Sequence, residues 1–380
     1  MVTTQRTDTG LQALIDRFAA RAAGHDETAT ASLDNLAELQ EAGLLALTVS
    51  PEHGGAGAGL GEAADIIGRI AEGDPATALI VAMQYLQHAS ITHSDRWPPE
   101  LRRQVGRAAA RDGALMNALR VEPDLGTPAR GGLPATTARW SADGWRITGR
   151  KIYSTGSTVL RWGLVWARTD EPEPRVGNFL VPLDTRGIIV ERSWNQLGMR
   201  ATESHTVVLD DVCVPLDHAV DIRRPSEWAS PDRVHAVWGN VVIASLYDGV
   251  ARSAHRWLLK FLRNRAPANL GASLATLPRF HELVGEIDAL LLTNRLMLAA
   301  AVLEEANGAR AGAAEGGLLK HVVTENAIRA VEKAVAATGN PGLSRDNPLE
   351  RHYRDVLCAR VHTPQADVAL AMSGRQSLGL

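Results

Sequence analysis

The chain has 380 residues, of which 45% are hydrophobic and 22% are charged, a balance typical of a folded globular protein that excludes a disordered chain. Its 40 Lys and Arg residues nearly match its 43 Asp and Glu residues, so the formal net charge at pH 7 is −3. This near-balance argues against a nucleic-acid-binding protein, because such proteins carry a basic surface.

Three further signals are not found in the sequence. No uncharged apolar run reaches the roughly 18 residues that a membrane-spanning helix needs, and Met1–Gly10 lacks the basic and apolar regions of a signal peptide. Cys213 and Cys358 are far apart, which argues against a disulfide framework and a structural zinc site. We therefore expect a cytoplasmic protein without a metal, which binds neither membranes nor nucleic acids.

Residues 1–113 are predicted to form a helical domain. Apolar residues recur at the spacing of one helix face at Leu11, Leu14, Ile15 and Phe18. After a glycine-rich loop, Asp74 and Pro75 supply the acidic cap and the first-turn proline of another helix. Its segment Ala76–Ala89 is apolar almost all round, which predicts a buried helix.

Residues 114–225 have the character of strands. Thr136–Gly156 predicts a hairpin that turns at Ala142-Asp143-Gly144. Further strand-like segments are Leu160–Thr169, Gly177–Asp184, Gly187–Trp194 and His205–Pro215. We expect these antiparallel strands to form a small barrel or sandwich.

The helical period returns in residues 226–380. The predicted long helices are Val234–Arg263, Leu277–Asn307, Leu318–Thr338 and Leu349–Gly379. The order of helices, strands and helices predicts an α+β fold that is mostly α, in three domains.

This order and several local motifs resemble the acyl-CoA dehydrogenase fold family of flavoproteins. The motifs are Pro51–Gly57, Ala71–Leu79, Val121–Pro123, Gly144–Ser157, Leu197–Pro215 and Thr338–Val356. The resemblance implies an N-terminal helical domain, a flavin-binding β domain and a C-terminal four-helix bundle. It also implies a homotetramer that assembles through the C-terminal helices.

The resemblance assigns flavin contacts in the β domain. Alternation along one strand would place Tyr153 and Thr155 on the same side, as an aromatic edge and a hydroxyl near the flavin N5. Gly126 and Thr127 lie in a loop whose N–H groups can hold phosphate, and Trp194 can cover the ring. The alternatives are a plain hairpin pair for Tyr153 and Thr155 and a core role for Trp194.

More distant flavin contacts follow from the same resemblance. Arg265 stands where many members have an arginine that binds the flavin pyrophosphate, although the Phe and Gln of their motif are replaced here. Gly339 and Asn340 belong to the glycine-rich turn before the E-R-x-Y-R-D helix. The choice between FMN and FAD stays open.

The sequence departs from the dehydrogenases at their catalytic base, a glutamate that removes the proton beside the thioester carbonyl. Thr363 occupies the usual position of that glutamate and Val234 the position used by some members. A threonine cannot accept such a proton at neutral pH. The nearest spare carboxylates are Asp367 and Glu203.

His362 and Ser157 instead resemble the oxygen-using branch of the fold, which includes dibenzothiophene monooxygenase and related two-component hydroxylases. The resemblance implies that reduced flavin reacts with O₂ to a C4a-hydroperoxide, to which both side chains are expected to be adjacent. An imidazole with an ordinary pKa near 6.5 can exchange a proton at neutral pH. The alternatives are a cap or surface role for His362 and a turn role for Ser157.

Gln84 and His88 lie four residues apart on the predicted buried helix, so they share one face. Buried polar groups need partners, and a pocket for substrate and oxidant would provide them. The alternative is that this face reaches water.

We therefore predict a flavin-dependent monooxygenase that oxidises a hydrophobic or aromatic small molecule at C, N or S. A separate NAD(P)H:flavin reductase is expected, since no G-x-G-x-x-G motif marks a nicotinamide site here. The alternatives are an acyl-CoA dehydrogenase with an unaligned base and a non-catalytic helical binding protein.

Overall fold

The computed structural model describes residues 8–125, 132–228, 233–308 and 313–380. In this part of the chain the first helices are α1 (Asp8–Thr28), α2 (Leu33–Glu41), α3 (Leu60–Gly73), α4 (Pro75–Thr92) and α5 (Pro99–Asp112). The strands are β1 (Leu115–Leu119), β2 (Thr137–Ser141), β3 (Gly144–Ser154), β4 (Leu160–Thr169), β5 (Val176–Pro182), β6 (Ile188–Glu191), β7 (His205–Val214) and β8 (Ala219–Arg223). The last helices are α6 (Arg233–Asn264), α7 (Pro278–Ala306), α8 (Ala313–Thr338), α9 (Asn340–Leu343), α10 (Leu349–Leu357) and α11 (Ala366–Ser377). The predicted fold class is confirmed.

Helix α4 forms the centre of the N-terminal domain. The Asp74 carboxylate accepts the Ala76 N–H at 3.1 Å, and Pro75 occupies the first turn, as the sequence predicts. Nearly all of the helix is buried, because it lies against α3, α6 and β1. The prediction of a buried helix is therefore confirmed.

The strands form one sheet in the order β6-β7-β3-β2-β4-β5-β8, with β1 beside β4. The predicted hairpin is β2–β3, with Ser141 opposite Gly144 and a two-residue turn between them. The other strand pairs are antiparallel, as expected, whereas β1 and β2 both pair with β4 in parallel. Neither strand is adjacent to β4 in sequence, so the connecting chain has room to cross over.

Helices α6, α7 and α8 lie close to their predicted bounds and pack on one another. The predicted helix Leu349–Gly379 is wrong, since the chain forms α10, a 3₁₀ turn over Cys358–Val361, and then α11. Pro364 explains the break, because proline lacks an N–H and disfavours helical backbone at the residue before it. None of the described helices is long and apolar enough to cross a bilayer.

Candidate functional site

A cleft of about 220 Å³ lies beside the end of β3. Its lining consists of Ile152, Tyr153, Ser193, Trp194, Gln196, Ser204 and Thr206. The Tyr153 side chain is 57% exposed, and its ring meets that of Trp194 edge-on with the centroids 6.2 Å apart. The cleft therefore combines two aromatic rings with hydroxyl and amide groups.

The backbone at Tyr153 turns out of the regular strand. Its φ is +57°, and the pairing of β3 with β7 shifts register between Lys151 and Ser154. Thr155 follows the strand, and its N–H donates to the Tyr153 carbonyl at 3.0 Å. The expected strand alternation of Tyr153 and Thr155 is therefore wrong, because a bulge and a turn separate them.

Thr155 nevertheless joins the cleft through a chain of hydroxyl groups. Its Oγ1 lies 3.0 Å from Oγ of Ser204, which lies 2.8 Å from Oγ1 of Thr202. The Thr202 hydroxyl donates to the Met199 carbonyl at 2.9 Å. The Trp194 indole N–H donates to the same carbonyl at 3.0 Å, so one backbone oxygen orders both the hydroxyl chain and the indole.

The Met199 turn is held by the C-terminal helices. Met199 has a φ of +52°, and its N–H donates to Oδ1 of Asp355 on α10 at 2.6 Å. A Cβ on the preceding Gly198 would lie 2.2 Å from the Arg354 carbonyl, so only glycine allows this approach. Burial raises the pKa of Asp355 to about 7, although the Met199 hydrogen bond lowers it. The fold thus brings together the motifs Leu197–Pro215 and Thr338–Val356, which are far apart in the sequence.

Sequence reasoning missed Ser204, Thr206 and Asp355 as site residues. Ser204 and Thr206 are two positions apart, which is the spacing of one face of a strand. Both lie in the family motif Leu197–Pro215. That spacing was the available signal for them. Asp355 had no comparable signal, because its partner Met199 is 156 residues away.

The cleft fits the ring of a flavin. A flat heteroaromatic ring with a polar edge needs aromatic contact and several hydrogen-bonding groups, and the lining offers both. Beside the cleft, the buried Oγ of Ser154 has no hydrogen-bond partner within the described residues, which leaves a polar group for a ligand to satisfy.

Of the other predicted flavin contacts, Arg265, Gly339 and Asn340 do not line this cleft. Gly126 and Thr127 lie outside the described residues. Arg265 is exposed just after α6, and Gly339 and Asn340 are exposed at the start of α9. Their roles stay predictions.

His362 follows the 3₁₀ turn, and its ring contacts α6. Its Nε2 lies 2.8 Å from Oη of Tyr247, and its carbonyl accepts Lys320 Nζ at 2.5 Å. Burial, together with the charge of Lys320, lowers the pKa of His362 to about 3. The expectation of proton exchange near pH 6.5 is therefore wrong, and His362 is a neutral hydrogen-bonding group.

Ser157 is buried and does not meet His362. Its hydroxyl donates to the Glu203 carbonyl at 2.7 Å, and its N–H donates to the Ser154 carbonyl at 3.0 Å. This hydrogen bonding orders the turn between β3 and β4. No hydrogen bond joins Ser157 to His362 in the described residues, and the expectation that both side chains lie beside the flavin stays a prediction.

Gln84 bonds to backbone groups rather than to a pocket. Its Nε2 donates to the carbonyls of Leu45 and Ala114 at 3.3 and 3.2 Å, and its Oε1 accepts the Met116 N–H at 2.7 Å. It therefore joins α4 to the neighbouring loop and to β1.

His88 is also buried, and its Nε2 has no partner among the described residues. Burial, with a contribution from His53, lowers its pKa to about 4. The alternative that this face of α4 reaches water is excluded. A catalytic role for His88 stays a prediction.

Three family models match successive parts of the chain. They describe the N-terminal domain of acyl-CoA dehydrogenase over residues 8–101, its middle domain over 120–212 and its C-terminal domain over 241–365.

Two curated relatives are similar over nearly the whole chain. The putative acyl-CoA dehydrogenase YdbM of Bacillus subtilis (strain 168) is 31% identical over 94% of this chain and 92% of its own length. The L-evernosamine nitrososynthase of a Micromonospora species is 27% identical over 97% of this chain and 89% of its own.

A solved structure is also similar. KijD3 in complex with FMN and dTDP-3-amino-2,3,6-trideoxy-4-keto-3-methyl-D-glucose superposes with a TM-score of 0.83 and 28% identity. The match covers 97% of this chain and 92% of that one.

Proposed function

Since this chain belongs to the acyl-CoA dehydrogenase family, we propose that it is a flavin-dependent monooxygenase, which uses reduced flavin and O₂ to oxidise a small molecule. The observation that carries the proposal is the chemistry of the cleft. None of its lining residues is an aspartate or a glutamate, and Thr363 and Val234 occupy the two positions where the resemblance expects the dehydrogenase base. Removal of a proton beside a thioester carbonyl requires such a base.

The relatives support an oxygenation, and nitrogen as the atom oxidised. A nitroso group carries oxygen on nitrogen, so the name L-evernosamine nitrososynthase denotes attachment of oxygen to an amine. KijD3 binds FMN together with an amino-sugar nucleotide, which favours FMN over FAD. YdbM is named a putative acyl-CoA dehydrogenase, so the second candidate function is a dehydrogenase.

Four residues of the cleft have a role in holding the cofactor, and Asp355 supports one of them. A bound reduced flavin supplies the two electrons that activate O₂. Tyr153 and Trp194 would contact its ring, and the hydroxyls of Ser204 and Thr206 would bind its polar edge. Asp355 fixes the Met199 turn and thereby orients the Trp194 indole.

His362 acts as a neutral donor. At neutral pH its imidazole carries one N–H, because its pKa is lowered to about 3. A neutral imidazole N–H stabilises negative charge that develops on an oxygen without giving up its proton. This role replaces the proton exchange expected from the sequence.

The experiment supplies the protein with reduced FMN or FAD, ¹⁸O₂ and a panel of amino-sugar nucleotides and aromatic compounds. We expect a product that contains ¹⁸O with at least one substrate, and a loss of about 10²–10³ in rate for His362→Ala with flavin still bound. Rapid anaerobic bleaching of bound flavin by an acyl-CoA would instead support the dehydrogenase. Failure to bind flavin in either redox state would support a non-catalytic binding protein.

The proposal includes two kinds of partner. A separate NAD(P)H:flavin reductase supplies the reduced flavin, and mixing with such a reductase is expected to sustain turnover. A homotetramer covers the outward face of α7, where Leu292, Leu296 and Leu303 are 47%, 56% and 62% exposed. Light scattering at micromolar concentration is expected to show a tetramer, and a monomer would contradict this assembly.

A further inference from the structure

A buried tyrosine contacts the imidazole that the proposed function uses. Tyr247 lies on α6 with none of its surface exposed, and its Oη is 2.8 Å from Nε2 of His362. The two ring centroids are 5.6 Å apart. The contact joins residues that are 115 positions apart in the chain, so it depends on the packing of α6 against the turn before α11.

A second helix holds the backbone of the same turn. Nζ of Lys320 on α8 donates to the carbonyls of His362 and Pro364 at 2.5 and 2.8 Å. Lys320 is buried, and no carboxylate of the described residues forms an ion pair with it. Its charge therefore disfavours a second positive charge on the imidazole.

The direction of the Tyr247–His362 hydrogen bond follows from the chemistry of the two groups. Burial raises the pKa of the Tyr247 phenol well above 10, and the nearby carboxylate of Asp355 adds to this. The phenol thus keeps its proton, and Nε2 of His362 is the one acceptor that its O–H meets among the described residues, so the hydroxyl donates and Nε2 accepts. In a neutral imidazole only one nitrogen can carry hydrogen, so the hydrogen of His362 lies on Nδ1.

Nδ1 is also the nitrogen that remains available. No hydrogen bond to Nδ1 is found in the described part of the chain, and the residue as a whole is only partly buried.

We propose that Tyr247 is a positioning residue that holds His362 in the Nδ1–H tautomer, so that this single N–H is the hydrogen-bond donor which the imidazole offers to the reaction. The proposal rests on the proposed function for its catalytic consequence, but the tautomer itself does not depend on that function. Without the Tyr247 hydroxyl, Nε2 can carry the hydrogen instead, and the fixed donor is lost.

The first test measures the tautomer in the protein without flavin. Solid-state ¹⁵N NMR of histidine-labelled protein resolves protonated and unprotonated ring nitrogens, and the signals that disappear in His362→Ala identify His362. We expect an unprotonated Nε2 and a protonated Nδ1 in the wild type. A protonated Nε2, or an imidazolium at pH 7, would overturn the proposal.

The variant Tyr247→Phe removes only the hydroxyl. We expect its His362 signals to move towards the other tautomer or a mixture, and unchanged signals would overturn the proposal. Tyr85→Phe is the matched control, since Tyr85 is equally buried and its hydroxyl donates to the Leu44 carbonyl at 2.7 Å. This control is expected to keep the wild-type His362 signals. If Tyr247→Phe does not fold, the wild-type spectrum alone still decides the tautomer.

The second test measures turnover with reduced flavin and substrate. Loss of one positioning hydrogen bond is expected to lower kcat of Tyr247→Phe about tenfold with little change in KM, while Tyr85→Phe keeps the wild-type kcat. An unchanged kcat in Tyr247→Phe would overturn the positioning role. If no oxygenation is found in the wild type, the proposed function fails, whereas the spectra still report on the tautomer.

Discussion

The carboxylate of Glu203 accepts a hydrogen bond from the hydroxyl of Thr158 over 2.5 Å. The same oxygen accepts the Ala31 N–H at 3.2 Å, and the other oxygen lies 3.7 Å from Nε2 of His205. Glu203 is therefore held between the sheet and the N-terminal helices, and it does not line the cleft. In this arrangement it cannot remove a proton from a substrate in the cleft.

We expect that acyl-CoA thioesters do not bleach the flavin of the loaded wild-type protein under anaerobic conditions. Without a positioned base, the proton transfer slows by roughly 10²–10⁴. Thr363→Glu is expected to introduce slow bleaching, while Thr363→Gln, of the same size and without charge, is not. Stopped-flow absorbance with short, long and aromatic thioesters checks this. Rapid wild-type bleaching that Glu203→Gln or Asp367→Asn abolishes would identify the missing base and favour the dehydrogenase.

Gln84 is expected to matter for stability. Gln84→Leu leaves the carbonyls of Leu45 and Ala114 and the N–H of Met116 without their side-chain partner. Each unsatisfied buried group costs about 1–3 kcal/mol, so we expect a large fall in the free energy of unfolding, measured with urea. Gln12→Leu, which removes an exposed hydrogen bond to Asp16, is the control and is expected to have little effect. If Gln84→Leu is as stable as the wild type but has lost turnover, the result would instead favour a catalytic role for Gln84.

The stability of the protein is expected to depend on His88 in acid. Burial lowers the pKa of His88 to about 4, so the unfolded chain binds this proton more readily between about pH 4 and 6.5. Stability is therefore lost as the pH falls through this window. In His88→Gln we expect the free energy of unfolding to fall less steeply with decreasing pH, by up to about 1.4 kcal/mol per pH unit.

Urea unfolding at pH 7, 6 and 5 measures this slope. His281→Gln is the control, because His281 is exposed on α7, and it is expected to keep the wild-type slope. Equal slopes for His88→Gln and the wild type would contradict a neutral buried His88.

A buried ion pair in the sheet is expected to be sensitive to the loss of one partner. Lys151 Nζ lies 2.6 Å from Oε1 of Glu122, and both side chains are almost fully buried. Burial lowers the pKa of Lys151 to about 8, while its hydrogen bond with Glu122 raises it. Lys151→Met leaves a buried carboxylate unpaired and is expected to cost about 3–5 kcal/mol.

Thermal unfolding of this variant is compared with Arg161→Met. Arg161 pairs with Asp184 at 2.6 Å, but both side chains are more than half exposed, and exposed pairs often contribute nothing measurable. A similar Tm for the two variants would show that burial does not strengthen the Lys151 pair.

Much of the fold could be predicted because its signals are local. The helix face from Leu11 to Phe18, the start of α4 at Asp74 and the hairpin at Ser141 each depend on residues a few positions apart. The break before α11 also has a local signal, because Pro364 disfavours a continuous helix. The helical spacing of apolar residues over 349–379 favours one long helix instead, so the two signals conflict.

Residue types by themselves determined the order of helices and strands and the lack of a carboxylate at Thr363 and Val234, because spacing, caps and chemical identity are properties of the chain. Only the tertiary structure decided that Met199 meets Asp355, that Tyr247 meets His362, and that the Ser157 hydroxyl donates to the Glu203 carbonyl. These pairs are far apart in sequence, so their contact depends on how helices and sheet pack. The pKa of His362 likewise depends on burial and on Lys320. Only in the folded chain is the imidazole shielded from water and placed beside the charge of Lys320.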